Sequence, residues 1–293
     1  MNVSSKRAEY VSLIALALNL IFFVSAILIG VFSKAYGAYA LAWQILGSGL
    51  IWFVLVIQFH QQSLAEREKL DMSQLEKDKE SGTIFQAGGS RKALLAVAQK
   101  QLAVFEKWFI PIFGVVIALY HVGIGIFSYF RVKTIGPMLN DLQEPQLHAV
   151  FLVIIAFVSF LLSRYATGMS SEKTWKPLRA GGSAFLATAI LSFAFAISLA
   201  LAQFDYTGVL TIVTWAIPIF LIVLGVEGVL NSVFDIYRPR IKGQYSRSAF
   251  DSRLLGAISE PGGIINTFSS AIDYQFGFKV SQTWFYKLFS KAV

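Results

Sequence analysis

The amino-acid sequence predicts an all-α integral membrane protein: a six-helix transmembrane bundle with a cytoplasmic helical hairpin and an amphipathic helical tail. Three observations carry this. First, 56% of the 293 residues are apolar and only 14% are charged, whereas a soluble domain carries about 25% charge. Such a chain cannot cover a core with a water-compatible surface. Second, six apolar stretches are long enough to cross a hydrocarbon layer of about 30 Å. Third, alternating crossings place 22 of the Lys and Arg residues on one side and 3 on the other, the bias expected of cytoplasmic connections. The composition excludes a soluble globular enzyme and a disordered chain. The absence of cysteine excludes disulfides, thiolate metal sites and cysteine nucleophiles. The net charge of +8 does not indicate a nucleic-acid partner, because the basic residues are spread over separate connections.

The first span, 11–32, follows Lys6 and Arg7. Its apolar run exceeds the roughly 7–15 residues of a cleavable signal sequence, so it reads as an uncleaved anchor. Spans two and three are 35–59 and 109–130. The fourth, 147–163, is the shortest, set between Pro145 and Arg164. Spans five and six are 181–203 and 208–234, and both termini then fall in the cytoplasm. Tyr10, Tyr36, Trp108, Tyr129, Tyr206 and Tyr237 lie near span ends, where amphipathic rings favour the interface. The chain divides into a first transmembrane hairpin (1–59), a cytoplasmic hairpin (60–108), a four-span region (109–234) and a tail (235–293).

Within the lipid, helices associate through small residues that permit close packing. On span five Ala180, Ala184, Thr188, Ser192, Ala196 and Ala200 recur every four residues and form one such stripe. It reads as a static bundle contact or as a sliding surface. Pro111 and Pro218 each remove a backbone donor from a span. Gly123-Ile124-Gly125 lacks the third glycine of a dinucleotide loop, and Gly47-Ser48-Gly49 reads as small-residue packing.

Glu227 is the one acid well inside a span. Asn231 lies one turn later on the same face, and Asn19, His121 and Gln44 fall at similar or somewhat greater depth on other spans. Together they form a candidate intramembrane polar cluster. It reads as a hydrogen-bond cluster that fixes helix register, or as a proton- or ion-handling site built on Glu227 and His121. His60, His121 and His148 have no metal-site spacing, and no P-loop, HExxH or GxSxG motif occurs. No cofactor is implied.

The 60–107 connection carries eight basic and seven acidic residues. Its first part is rich in helix formers. After a glycine-containing break, Leu94, Ala98, Leu102, Phe105 and Phe109 share one face of a second helix. The resulting hairpin is a partner-docking arm or a solvated connector. In the tail, Phe250, Leu254, Leu255 and Ile258 line one helical face, and Trp284, Phe285, Leu288 and Phe289 oppose Lys287 and Lys291. This suits a membrane interface or a small cytoplasmic subdomain packed on the bundle. Lys6, Arg7, Arg238, Arg240 and Lys242 are placed to contact anionic headgroups, at roughly 1 kcal/mol each.

YRPR at 237–240, followed by AFDSRLLGAISEPGGIINTFSSAIDYQFGFKVSQTWFYKLF at 249–289, resembles a segment of certain bacterial HflK-like proteins of the band-7 (SPFH) family, which includes stomatin, prohibitin, flotillin and HflK/C. In those relatives a multi-span region leads through such a segment into a further span and the band-7 domain. This chain stops at Val293, ahead of both. The resemblance implies the bacterial cytoplasmic (inner) membrane, oligomeric scaffolding and modulation of membrane proteases, and it carries over no catalytic residue. The expected function is therefore a non-enzymatic multi-pass membrane scaffold or assembly subunit. Its partners are the lipid bilayer and other membrane-protein subunits or further copies of itself. The alternative is a small-solute or proton-coupled transporter using Glu227.

Overall fold

The computed structural model describes residues 4–80, 88–135, 142–170 and 177–237. All regular structure among them is helical: α1 (Ser4–Ser33), α2 (Tyr36–Glu80), α3 (Gly88–Val104), a π-helical turn (Phe105–Phe109), α4 (Ile110–Ile135), α5 (Pro145–Met169), α6 (Leu178–Ala202) and α7 (Thr207–Tyr237). Among the described residues six helices are long and apolar enough to cross a membrane. Of the amphipathic tail expected over 235–293, residues 235–237 belong to α7 and 238–293 lie outside the described residues.

α2 and α6 each bury 67% of their most apolar window, against 28–39% for the other four, so these two form the centre of the bundle. α2 touches α1, α3, α4, α6 and α7. The remaining large contacts pair α5 with α6 and α4 with α7. Neighbouring spans run antiparallel, as the register shows. Asn19 packs at Gly49 and Gly30 at Tyr39 between α1 and α2, while Gly181 meets Trp52 and Gly37 meets Phe195 between α6 and α2.

Two features depart from the apolar runs of the sequence. α2 does not stop near residue 59 but continues unbroken for 45 residues, about 68 Å at 1.5 Å per residue. α3 then passes through the π turn directly into α4. The helices thus cross both ends of the 60–108 unit, because its charged but helix-favouring residues continue the backbone ladder where the apolar run ends. The fourth span is likewise longer than its apolar core, a 25-residue helix that incorporates Arg164. Pro145 occupies its first turn, where a missing N–H costs nothing.

The end of the bundle opposite the α2–α3 arm carries the left-handed residues Lys34 (φ 56°), Glu144 (φ 43°) and Asp205 (φ 64°). After α6, Tyr206 N–H donates to the Leu201 carbonyl and Asp205 N–H to that of Ala202, both at 3.2 Å. This is a Schellman ending, with aspartate where glycine is usual.

Candidate functional site

The polar residues of the bundle are arranged around α2. Successive residues of an α-helix point about 100° apart, so Gly47, Ser48 and Gly49 address three different neighbours. Ser48 Oγ lies 3.3 Å from the Ala184 carbonyl oxygen and 3.3 Å from Thr188 Oγ1 on α6. One turn away Gln44 donates through Nε2 to Ser48 Oγ at 3.1 Å and accepts from Thr188 Oγ1 at 3.3 Å. Gly47 faces α4 instead, where a Cβ would collide with the His121 ring at Nε2. The His121 ring turns its other nitrogen to its own helix, with Nδ1–H donating to the Ile117 carbonyl at 2.8 Å. Gly49 faces α1, where the buried Asn19 donates to the Ala15 carbonyl at 3.1 Å.

The structure therefore separates three members of the expected cluster: Gln44, His121 and Asn19 lie on three sides of α2. Glu227 is half-buried on α7, about 140° around that helix from Ile222, which packs on α4. Asn231 is in α7, and its side chain lies outside the described set. What does assemble is the Gln44–Ser48–Thr188 triad, with Thr188 drawn from the small-residue stripe. The stripe itself is interior: Ala180, Ala184, Thr188, Ser192 and Ala196 are buried and Ala200 is half-buried. Thr188→Val removes the donor to Gln44 Oε1, and a cost of about 1 kcal/mol follows from leaving that buried oxygen short of a partner. Gln44→Leu/Thr188→Val costs less than the sum of the single changes, as equilibrium unfolding in detergent will show.

Close approach between helices elsewhere depends on glycines. Gly181 and Gly182 are adjacent but serve different neighbours: the first lies under the Trp52 indole of α2, the second against Thr167 and Ser163 of α5. Gly125 of α4 rests on the Pro218–Ile222 turn of α7, and reciprocally Gly225 rests on the Ala118–Val122 turn of α4. The Gly123-Ile124-Gly125 sequence thus contains one seam residue, while Gly123 has open space where its Cβ would be.

A second polar group, not anticipated from the sequence, joins the helices at the arm end. Glu9 of α1 accepts from Ser63 at 3.2 Å and pairs with His60 Nδ1 at 2.9 Å, both on α2. Ser5 Oγ donates to Glu66 Oε2 at 2.6 Å. Gln62 Nε2 donates to Glu106 Oε1 at 3.2 Å, and Glu106 belongs to the π turn. That turn inserts a residue into the helical register, which lets a helix amphipathic outside the bundle continue as α4. Phe105, Phe109 and Phe113 stack across it with centroids 4.6 and 4.3 Å apart.

Of the expected headgroup contacts, Lys6 is half-buried with Nζ 5.8 Å from the Tyr10 ring centroid, and Arg7 is exposed. Arg238, Arg240 and Lys242 lie outside the described residues, as do 238–289 of the band-7 resemblance. Among the described residues no three His, Asp or Glu side chains are grouped to hold a metal ion. Fold and site together define an all-helical, six-span-length bundle organised on one central helix. No protein-family model, curated protein or solved structure matches the chain.

Proposed function

We propose that this chain is a non-enzymatic, multi-pass membrane assembly subunit. Six helices cross the bilayer, with both termini and the α2–α3 arm on the cytoplasmic side, as the 22-to-3 distribution of Lys and Arg favours. The bundle is a fixed anchor and the arm contacts partner membrane-protein subunits or further copies of the chain. Lys6 and Arg7 face anionic headgroups at the same surface. The band-7 resemblance adds a setting, the bacterial inner membrane, and a task, organising the membrane or modulating a membrane protease.

The observation that carries this reading is the unbroken run of α2 from Tyr36 to Glu80. A helix held within the bundle by α1, α4, α6 and α7 and extended about 30 Å past Phe59 fixes the direction in which the arm projects. A solvated connector needs no such continuity. The polar side chains also favour anchoring over transport, since Gln44 bonds to Ser48 and Thr188 while His121 and Asn19 each bond within their own helices.

Leu64, 41% exposed on α2 past its apolar run, is the place to test this. Proline there removes a backbone donor in a helix interior, at a local cost of about 3 kcal/mol. Wild-type protein in mild detergent is expected to run as a higher-order assembly by light scattering. Leu64→Pro is expected to keep its helical bundle and run as a monomer. A wild type that is itself a solitary monomer, or a variant that assembles unchanged, overturns the proposal. Vesicles reconstituted with wild type and with Glu227→Gln should show the same proton permeability. Flux that disappears with the glutamate would establish the transporter instead.

A further inference from the structure

At the bundle end opposite the arm, α1 and α5 line a cavity of about 730 Å³. This lies within the roughly 300–1,000 Å³ typical of small-molecule sites. Its walls are Leu28 and Phe32 of α1 and Leu147 and Phe151 of α5, and its rim carries Glu144 and His148. Charge is confined to the rim: deeper in, Ser25 of α1 also lines the cavity, but its hydroxyl donates to the Ile21 carbonyl at 2.8 Å. Glu144 immediately precedes α5, whereas Phe151 lies seven residues later, about 10 Å further in.

The cavity opens sideways. Leu28, Phe32, Leu147 and Phe151 remain 49–58% exposed on the outer face of the bundle, the face that meets hydrocarbon if these helices span a bilayer. A ligand can therefore enter from the lipid phase without crossing the polar rim. At that rim, Glu144 does not spend its carboxylate on capping α5, although its backbone is held in the left-handed region at the cap position. His148, 7% exposed, lies one turn below and within electrostatic reach of it. Among the described residues no Lys or Arg lines the cavity, so the one formal charge they place there is negative and complements a cationic headgroup.

We propose that this cavity binds one phospholipid bearing a primary ammonium headgroup, with an acyl chain against Leu28, Phe32, Leu147 and Phe151 and the ammonium group at the Glu144 carboxylate. This rests on the reading of the six helices as membrane spans. It adds a lipid of defined chemistry, on the surface opposite the arm, as an integral part of the bundle.

The full chain is reconstituted into nanodiscs holding equal amounts of phosphatidylethanolamine, phosphatidylcholine and phosphatidylglycerol, released, and weighed by native mass spectrometry. One phosphatidylethanolamine is expected to stay bound. Glu144→Gln should reduce its retention roughly tenfold, to the level of phosphatidylcholine. Leu147→Trp and Leu28→Trp, which fill the cavity from its two walls, should each abolish it. Both replace half-exposed residues, and unchanged helical circular dichroism identifies the folded variant on which the result is read. Added phosphatidylethanolamine should also raise the thermal stability of delipidated wild type, but not of Glu144→Gln. Equal retention of the three lipids, or full retention by a folded tryptophan variant, overturns the proposal. A protein that stays in solution without detergent instead overturns the membrane reading beneath it, so the two failures are distinct.

Discussion

Replacing Gly125 with leucine lowers the stability of the bundle by about 3 kcal/mol or more, while the same substitution at Gly123 leaves it within about 0.5 kcal/mol. A Cβ at Gly125 would sit 2.7 Å from Ile222 Cγ1 and 2.8 Å from the Pro218 carbonyl oxygen. The side chain of Ile222 can rotate, but the carbonyl belongs to the backbone of α7 and can retreat only if the whole helix does. Retreat separates the reciprocal contact as well, since Gly225 lies so close along the same seam that a Cβ there would sit 2.7 Å from the Ala118 carbonyl oxygen. The edge-to-face pair of Tyr129 and Trp215, with centroids 5.2 Å apart, is also on that seam and opens with it. With the six helices in lipid, as proposed above, no hydrophobic drive compensates, because the exposed helix faces would simply meet acyl chains. Alanine sharpens the comparison by reversing its sign. Gly125→Ala destabilises by about 1–2 kcal/mol through overpacking, whereas Gly123→Ala, with open space around it, stabilises by up to about 1 kcal/mol through helix propensity. Circular dichroism during titration of dodecyl sulfate into mixed micelles reads all four variants. Equal losses at the two glycines would remove the α4–α7 seam from the account.

That pair of glycines also marks the limit of what the sequence discloses. The six long helices are legible because a bilayer forces both length and apolarity on any segment that crosses it. Which face of each helix meets protein is not legible in the same way. In water an inward face is apolar and an outward face polar, so periodicity reveals it. In lipid both faces are apolar, and Gly123 and Gly125 look alike until the placement of α7 distinguishes them. The same limit applies to the polar residues: Asn19, Gln44 and His121 are recognisable as costly in lipid and fall at comparable depths, yet depth says nothing of direction around α2. The spacing of four along α6 did identify an interior stripe, because small residues are informative where polarity is not. At the arm end the pairs Glu9–His60 and Ser5–Glu66 join residues 51 and 61 apart in the chain. Charged residues there are ordinary in sequence, and only the continuation of α2 beyond its apolar run brings them beside α1.

Trp52→Ala is expected to cost about 3–5 kcal/mol, and a second substitution on the facing helix should recover part of that loss. Trp52 has no exposed surface and is among the largest fully buried side chains of the chain. Its ring stands 5.2 Å from that of Phe185, and Gly181 lies so close beneath that a Cβ there would come within 2.5 Å of the indole. The knob is on α2 and the hole is on α6. Removing the knob forfeits the dispersion contacts of a bicyclic ring in a space its neighbours can only partly fill. Trp52→Phe should lose no more than about 1.5 kcal/mol, because it keeps an aromatic ring against Phe185 and sheds an indole N–H without a hydrogen-bond partner among the described residues. Gly181→Leu alone collides with the indole and destabilises by about 2–3 kcal/mol. Combined with Trp52→Ala, the leucine occupies the vacated volume, so knob and hole exchange helices. The double variant should then be at least about 1.5 kcal/mol more stable than the sum of the two losses predicts. Additive losses in the same titration would mean that Trp52 and Gly181 do not share one contact, and would take away the close approach that sets α2 against α6 at the centre of the bundle.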